Sequence, residues 1–246
     1  MIADKAARAV LAGLAAALFS GWAAGAASGD GSARVLRNTA AGCVTAIFVA
    51  AQPGDSPFPD GMARAALHAL GTGPGSLAVF HWSRQREAGE WIGEQLAARR
   101  NSGYPLRLIL AGHGEGGGVA GDLAQSILAA EAEAELVLLL TVDAIKTGRI
   151  QAAAGAAGNA IALGLPVAVP NFLAYDSPPL PDGRRFWRHV NYYQDRDRLR
   201  RGMPLPGAEN HLLGDRGGYP GHDNLADFAL PLLAADFRIA LERGWR

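Results

Sequence analysis

The chain has 246 residues, and its 23 lysines and arginines balance 23 aspartates and glutamates, so the formal net charge is zero. A neutral chain is not expected to bind nucleic acid through a basic surface. A single cysteine, Cys43, excludes a disulfide framework and a zinc site built from cysteines. Length and an apolar fraction of 49% are those of a folded protein with its own core.

Residues 1–26 have the features of an export signal. Lys5 and Arg8 give a short basic start, and residues 10–24 carry no charge. The small residues that end this stretch form the small-x-small pattern that signal peptidases cleave. The pattern predicts cleavage after Ala26.

An uncleaved membrane anchor is the alternative for this stretch. Its apolar part is at the lower limit for spanning a bilayer, and alanine and glycine make it weakly hydrophobic. We therefore expect residues 27–246 to be an exported single domain, periplasmic or extracellular, with no stable membrane span.

After this segment, apolar strands alternate with amphipathic helices. Strands are predicted over 44–51, 77–82, 106–111, 136–142 and 190–193, and helices over 62–70, 85–100, 119–132 and 224–243. Strands that are apolar throughout are typical of a parallel sheet covered on both sides. The prediction is an α/β fold, a mostly parallel sheet with helices on both faces in three layers. The proline-rich segment 164–185 is interpreted as a lid or pocket wall.

The third predicted strand runs directly into a glycine-rich turn, GHGEGG, and a helix follows. Strand, sharp turn and helix are the setting of the G-x-S-x-G nucleophile elbow, in which small residues flank the serine at two positions. Gly112 and Gly116 occupy those positions. The turn resembles the α/β-hydrolase fold family, and within it the lipase- and esterase-like members with G-H-S-x-G-G. At the serine position this chain has Gly114.

The same resemblance implies an acid and a histidine later in the chain. His222, in a loop before the last helix, would be the general base, and Asp143, at the end of the strand after the elbow, would be the acid. Asp195 or Asp197, just after the following strand, is the alternative acid. Without the resemblance, Asp143 is a turn or helix cap and His222 a surface histidine.

An oxyanion hole is implied at the same turn. Its donors would be the backbone N–H of Glu115, which follows the vacant position, and a group near Gln52 where the first predicted strand ends. His113, between the two glycines of the turn, is interpreted as a packing residue.

A dinucleotide site is the competing interpretation, because Gly112, Gly114 and Gly117 also match G-x-G-x-x-G. The acidic residue that this fingerprint requires lies about 20 positions on, and the only candidates there, Glu131, Glu133 and Glu135, come before the next strand starts. The fingerprint also usually lies in the first strand–helix–strand unit, whereas two predicted strands precede this turn. A phosphate-binding P-loop is excluded because no G-K-[ST] follows.

Glycine has no nucleophilic side chain, so a covalent acyl-enzyme cannot form at residue 114. The sequence therefore predicts hydrolase ancestry with weak or absent ester hydrolysis. Three hypotheses remain: a pseudoenzyme that binds an acyl or ester ligand, a hydrolase in which His222 activates water with help from Glu115, and a variant of an ordinary secreted esterase. No metal and no organic cofactor is expected.

Overall fold

The structure, a computed structural model, describes residues 34–37, 45–51, 61–70, 76–100, 106–129, 134–145, 175, 180, 186–195, 202–214 and 221–244. The predicted signal at 1–26 lies outside these ranges, and so do Gln52 and Asp197. Most of the segment 164–185 is also outside them. Within the described ranges, no helix has both the length and the apolar character needed to cross a bilayer.

Short strands and helices alternate along the described chain. In order they are β1 (Arg34–Arg37), β2 (Thr45–Ala51), α1 (Gly61–Leu70), β3 (Ser76–His81), α2 (Gln85–Arg100), β4 (Leu106–His113), α3 (Glu115–Ala129), β5 (Ala134–Val142), β6 (Phe186–Tyr193), β7 (Glu209–Leu212), α4 (Leu225–Phe228) and α5 (Leu230–Gly244). One-turn 3₁₀ helices precede α2 at Trp82–Arg84 and α4 at His222–Asn224.

The seven described strands form one sheet in the order β1-β3-β2-β4-β5-β6-β7. β1 pairs with β3 in the antiparallel direction, and all the other neighbouring pairs are parallel. The mostly parallel sheet confirms the predicted fold class. Because the strands from β2 to β6 run the same way, their carboxyl ends meet at one edge, where such folds build their sites.

Helices cover both faces of the sheet, and β4 shows how the sequence specifies this. Successive side chains of a strand point to opposite faces. Leu108 and Leu110 pack into a core with α2 and α3, while Ile109 and Ala111 pack into a second core with α1, α4 and α5. All four side chains are fully buried, which explains why the strand is apolar without alternation.

Sequence patterns missed both edge strands and misplaced two helix boundaries. β1 is short and half arginine, and β7 is polar with all four residues exposed, so neither has an apolar run. α3 starts at Glu115 rather than 119, and the sequence pattern missed its first turn because Gly116, Gly117 and Gly118 are poor helix formers without an apolar pattern. The expected terminal helix is divided at Ala229, since Pro231 begins a new helical turn and has no N–H to continue the earlier one.

Candidate active site

The glycine-rich turn is a sharp bend between β4 and α3. Gly114 has a φ of 59°, in the left-handed region that favours glycine. Its N–H donates to the carbonyl of Val142 at 2.8 Å, and its carbonyl accepts from the N–H groups of Gly117 and Ile145, each at 3.0 Å. The bend is therefore anchored to the end of β5.

The other glycines of the turn allow close packing. A Cβ at Gly112 would overlap the carbonyl of Gly116, and a Cβ at Gly117 would lie 2.9 Å from that of Ala144. Glycine at 112, one of the two positions that predicted an elbow, is therefore a steric requirement of this turn, and so is a small residue at 117.

Asp143 and His222 meet beside the elbow. Nδ1 of His222 lies 3.0 Å from Oδ2 of Asp143, and both side chains are fully buried. Burial excludes the surface alternative for His222. Asp143 follows Val142 directly, so the hydrogen bond from Gly114 to Val142 places the acid one residue from the contact with the elbow.

The carboxylate of Asp143 accepts four hydrogen bonds. Oδ1 accepts from the backbone N–H groups of Gln194 and Gly202, at 3.0 and 2.9 Å. Oδ2 accepts from Nε2 of Gln194 at 2.8 Å and from the ring of His222. A carboxylate surrounded by four donors has no acceptor for a proton of its own, so it is ionised. The Nδ1 of His222 then carries its proton, and Nε2 is the basic nitrogen of the neutral ring.

The backbone also fixes Asp143. Its φ of 46° is unusual for a residue other than glycine, and its N–H donates to the carbonyl of Tyr192 at 2.7 Å. A residue held in a sparsely populated conformation indicates that the surrounding contacts determine its position.

Sequence reasoning missed Gln194 and Gly202. Gln194 follows the end of β6, which neighbours β5, so its position next to Asp143 was available from the parallel pairing. Gly202 gave no local signal, yet a Cβ there would overlap Oδ1 of Asp143. The alternative acid Asp195 has an exposed side chain, and the ring of His222 bonds to Asp143 instead.

Two further groups of the turn are buried. His113, at the end of β4, places Nε2 2.7 Å from the carbonyl oxygen of His222, and the two rings lie 5.0 Å apart. Glu115 is buried at the first position of α3, where the helix N-terminus stabilises a carboxylate. A carboxylate here also disfavours a phosphate, which weakens the dinucleotide interpretation of Gly112, Gly114 and Gly117.

A polar network lies behind the site on β5 and β6. Asn191 donates to the carbonyl of Met203 at 2.8 Å and to Asn210 at 2.9 Å, and its own oxygen accepts from Thr141 at 3.0 Å. Nε2 of His189 lies 3.3 Å from the hydroxyl of Thr141. Because the hydroxyl of Thr141 donates its proton to Asn191, it accepts the hydrogen bond from Nε2 of His189. Burial lowers the pKa of His189 to about 4.

These features combine a mostly parallel sheet, a glycine elbow after a central strand, and an acid and a histidine that follow in that order. The fold is the α/β-hydrolase fold. The arrangement places Asp143 and His222 beside the elbow, and residue 114 at the bend is a glycine without a side-chain hydroxyl.

Searches of protein-family models and of curated proteins found no match. Among solved structures, the NocB thioesterase domain from the nocardicin cluster has 20% identity and a TM-score of 0.39, over 82% of this chain and 94% of that one. Alpha/beta hydrolase domain-containing protein 10 from mouse has 13% identity and a TM-score of 0.47, over 86% of this chain and 93% of that one. Likeness at this level assigns no activity, and the fold assignment rests on the sheet and the elbow described above.

Proposed function

We propose that this chain derives from serine esterases or lipases, retains the acid and the base of their triad, and hydrolyses esters weakly or not at all because residue 114 is glycine. The observation that carries the proposal is the buried Asp143–His222 pair next to an elbow whose nucleophile position is vacant. A buried charged group is costly unless several donors satisfy it, and here four do.

The chemistry follows from the missing atom. In a serine hydrolase, the histidine takes the proton of the serine while the hydroxyl attacks the ester carbonyl, and the aspartate stabilises the imidazolium that forms. Gly114 offers no hydroxyl, so this step has no proton donor and no covalent intermediate forms. Loss of the serine alone lowers turnover by about 10⁶ in a serine protease, with about 10³–10⁴ left over the reaction in water.

Restoring the hydroxyl tests the ancestry. Gly114→Ser is assayed with p-nitrophenyl butyrate, alone and combined with His222→Ala, and circular dichroism checks that each variant folds. We expect kcat/KM to rise by about 10² or more in the single variant and to return to the starting value in the double variant. Asp195→Asn, an exposed carboxylate near the site, is the matched control and leaves the gain intact. A folded Gly114→Ser protein with no gain would contradict the proposal.

Water activation by His222 is the second candidate. It is favoured by the orientation of the ring, since the proton on Nδ1 makes Nε2 the nitrogen that can accept a proton from water. Glu115 assists as a second carboxylate of the same turn. This candidate predicts measurable turnover by the chain as it stands and a loss of at least tenfold in His222→Ala. Equal rates for the two proteins would eliminate it.

If neither protein turns over, a pseudoenzyme that binds an acyl or ester ligand is the form of the proposal that remains. A non-hydrolysable ester analogue, such as a short alkyl ketone, should then raise the melting temperature of the chain, because a ligand that binds only the folded state stabilises it. No shift at millimolar ligand would argue against acyl binding.

We further propose that the protein is exported and cleaved after Ala26. Support comes from the basic start, the uncharged stretch and the small residues that end it. Expression in a bacterial host, followed by N-terminal sequencing of the exported fraction, should give a chain that begins at Ala27. Recovery of the full-length chain in the cytoplasmic fraction would contradict this.

A further inference from the structure

His113 holds the segment that carries the base. Its ring nitrogen Nε2 donates to the main-chain carbonyl of His222 at 2.7 Å, and the same carbonyl accepts the N–H of Leu225 as the 3₁₀ turn passes into α4. Since a carbonyl can only accept, Nε2 of His113 carries a proton. Both histidines are buried, at 3% and 1% exposure.

The two ends of His222 are held by different elements. Gly221, the residue before it, is exposed, and its carbonyl accepts the N–H of Asn224 at 3.1 Å within the 3₁₀ turn. Asp143 at the end of β5 holds the ring of His222, and His113 at the end of β4 holds its main-chain carbonyl.

His113 is also the residue directly before Gly114. Its bond therefore links the nucleophile position and the base through one side chain. Misplacement of a catalytic group by about 1 Å costs on the order of 10²-fold in rate, so a tie at this point has consequences for catalysis beyond packing.

We propose that His113 is a positioning residue, whose Nε2–H bond to the main chain of His222 holds the Asp143–His222 pair against the elbow. The structural half of this inference concerns the chain as it stands. The kinetic half rests on the proposed function, because it requires activity in the Gly114→Ser protein.

Two substitutions separate the hydrogen bond from the bulk of the side chain. In His113→Gln, the amide nitrogen occupies nearly the place of Nε2 and keeps the donor. In His113→Asn, the amide nitrogen lies near the place of Nδ1, so the donor toward His222 is lost while polarity is kept. His113→Met, apolar and unbranched, repeats the loss if the Asn variant does not fold.

The first measurement is proton NMR of the unaltered Gly114 chain and its His113 variants. The Nδ1 proton of His222, buried between ring and carboxylate, should give a far-downfield resonance that disappears in His222→Ala. We expect it in the parent and in His113→Gln, and expect it broadened by solvent exchange or absent in the variants without the donor. An unchanged resonance in a folded His113→Asn or His113→Met protein would overturn the positioning role.

The second measurement is kinetic, in the Gly114→Ser protein. Loss of the donor should lower kcat about 10²-fold with KM within about twofold, and His113→Gln should restore most of kcat. An equal loss in the Gln and Asn variants would show that the ring acts through packing alone. If Gly114→Ser itself gains no activity, the proposed function fails, while the NMR result still decides the role of His113.

Discussion

Two buried aspartates flank the end of β6, and they are neutralised in different ways. Asp143 accepts hydrogen bonds from a histidine ring, an amide and two backbone N–H groups. Asp236, on α5, accepts from the guanidinium of Arg188 at 2.7 Å and from the hydroxyl of Tyr192 at 2.6 Å.

The partners of Asp236 keep their protons over the whole physiological range. Its cation, Arg188, is permanently charged, and the hydrogen bond from Arg188 to Glu209 raises the pKa of the guanidinium further and lowers the pKa of Glu209. Burial, followed by the hydrogen bond to Asp236, raises the pKa of the Tyr192 hydroxyl. This cluster ties α5 and β7 to β6 and contributes to stability.

Asp143 differs because its partner is an imidazole ring, and the ring nitrogen that faces the carboxylate is Nδ1 of His222. Comparable burial therefore holds an ion pair in one place and an aspartate–histidine pair in the other. On the proposed function, the second pair transfers protons. The decisive difference is the residue opposite the aspartate.

The largest expected effect separates the two aspartates by activity. In the Gly114→Ser protein, Asp143→Asn should remove most of the gain in kcat that the serine provides, because the neutral amide neither fixes the tautomer of His222 nor stabilises its cation. Asp236→Asn in the same background should leave kcat within about threefold. Steady-state kinetics on p-nitrophenyl butyrate measures both changes in kcat. Similar losses in the two variants would contradict a catalytic role that Asp143 has and Asp236 lacks.

Asp236 should contribute more to stability than an exposed aspartate does. Asp236→Ala leaves a partly buried guanidinium without one of its two carboxylates and should lower the free energy of unfolding by about 3 kcal/mol. Urea denaturation followed by circular dichroism measures the change. Asp227→Ala on the neighbouring helix, where an exposed carboxylate pairs with Arg64, is the control and should cost less than about 1 kcal/mol. Equal losses of stability in Asp236→Ala and Asp227→Ala would contradict a stabilising role for the buried pair of Asp236 and Arg188.

His189 sharpens the comparison, since it is a buried titratable group on β6 with no charge opposite it in its described contacts. Burial lowers the pKa of His189 to about 4. Between pH 6.5 and 4, this histidine is therefore protonated in the unfolded chain and neutral in the folded chain. Stability should be complete above pH 6.5 and fall by about 3 kcal/mol as the pH drops toward 4.

The matched variant for this pH dependence is His189→Gln, which keeps a donor for Thr141 and cannot titrate in this range. Urea midpoints at pH 7, 5.5 and 4 should fall less steeply for the variant than for the parent. Parallel curves for the two proteins would show that His189 does not cause the acid sensitivity.

The smallest expected effect concerns a single hydroxyl of the fixed cluster. Tyr192→Phe removes one donor to Asp236 and should lower the free energy of unfolding by about 2 kcal/mol, within the range usual for a hydrogen bond to a charged group. Asp236 keeps Arg188, so the loss should be smaller than in Asp236→Ala. A thermal melt of the two variants side by side checks the order, and a larger loss in Tyr192→Phe would reverse it.

The sequence predicted those features that depend on local pattern and chain order. Apolar runs located the central strands, and the glycine spacing located the elbow. The resemblance to the hydrolase family gave His222 and Asp143, with Asp195 or Asp197 left as alternative acids. The contacts of Gln194 and Gly202 were not predictable in the same way, because they require the left-handed backbone of Asp143 and the path of the chain after β6. The edge strands β1 and β7 were not predicted, because each has only four residues and neither contains an apolar run.

The backbone angle at residue 114 also bears on the history of the site. A residue with a Cβ atom adopts such a backbone angle at an intrinsic cost of about 1–2 kcal/mol, and glycine does not incur this cost. On the proposed descent, a single substitution would have abolished the reaction and relaxed the bend together. Reversion to serine would then restore that conformational cost, even though the acid and the base remain in place. The lost side chain is therefore harder to regain than it was to lose.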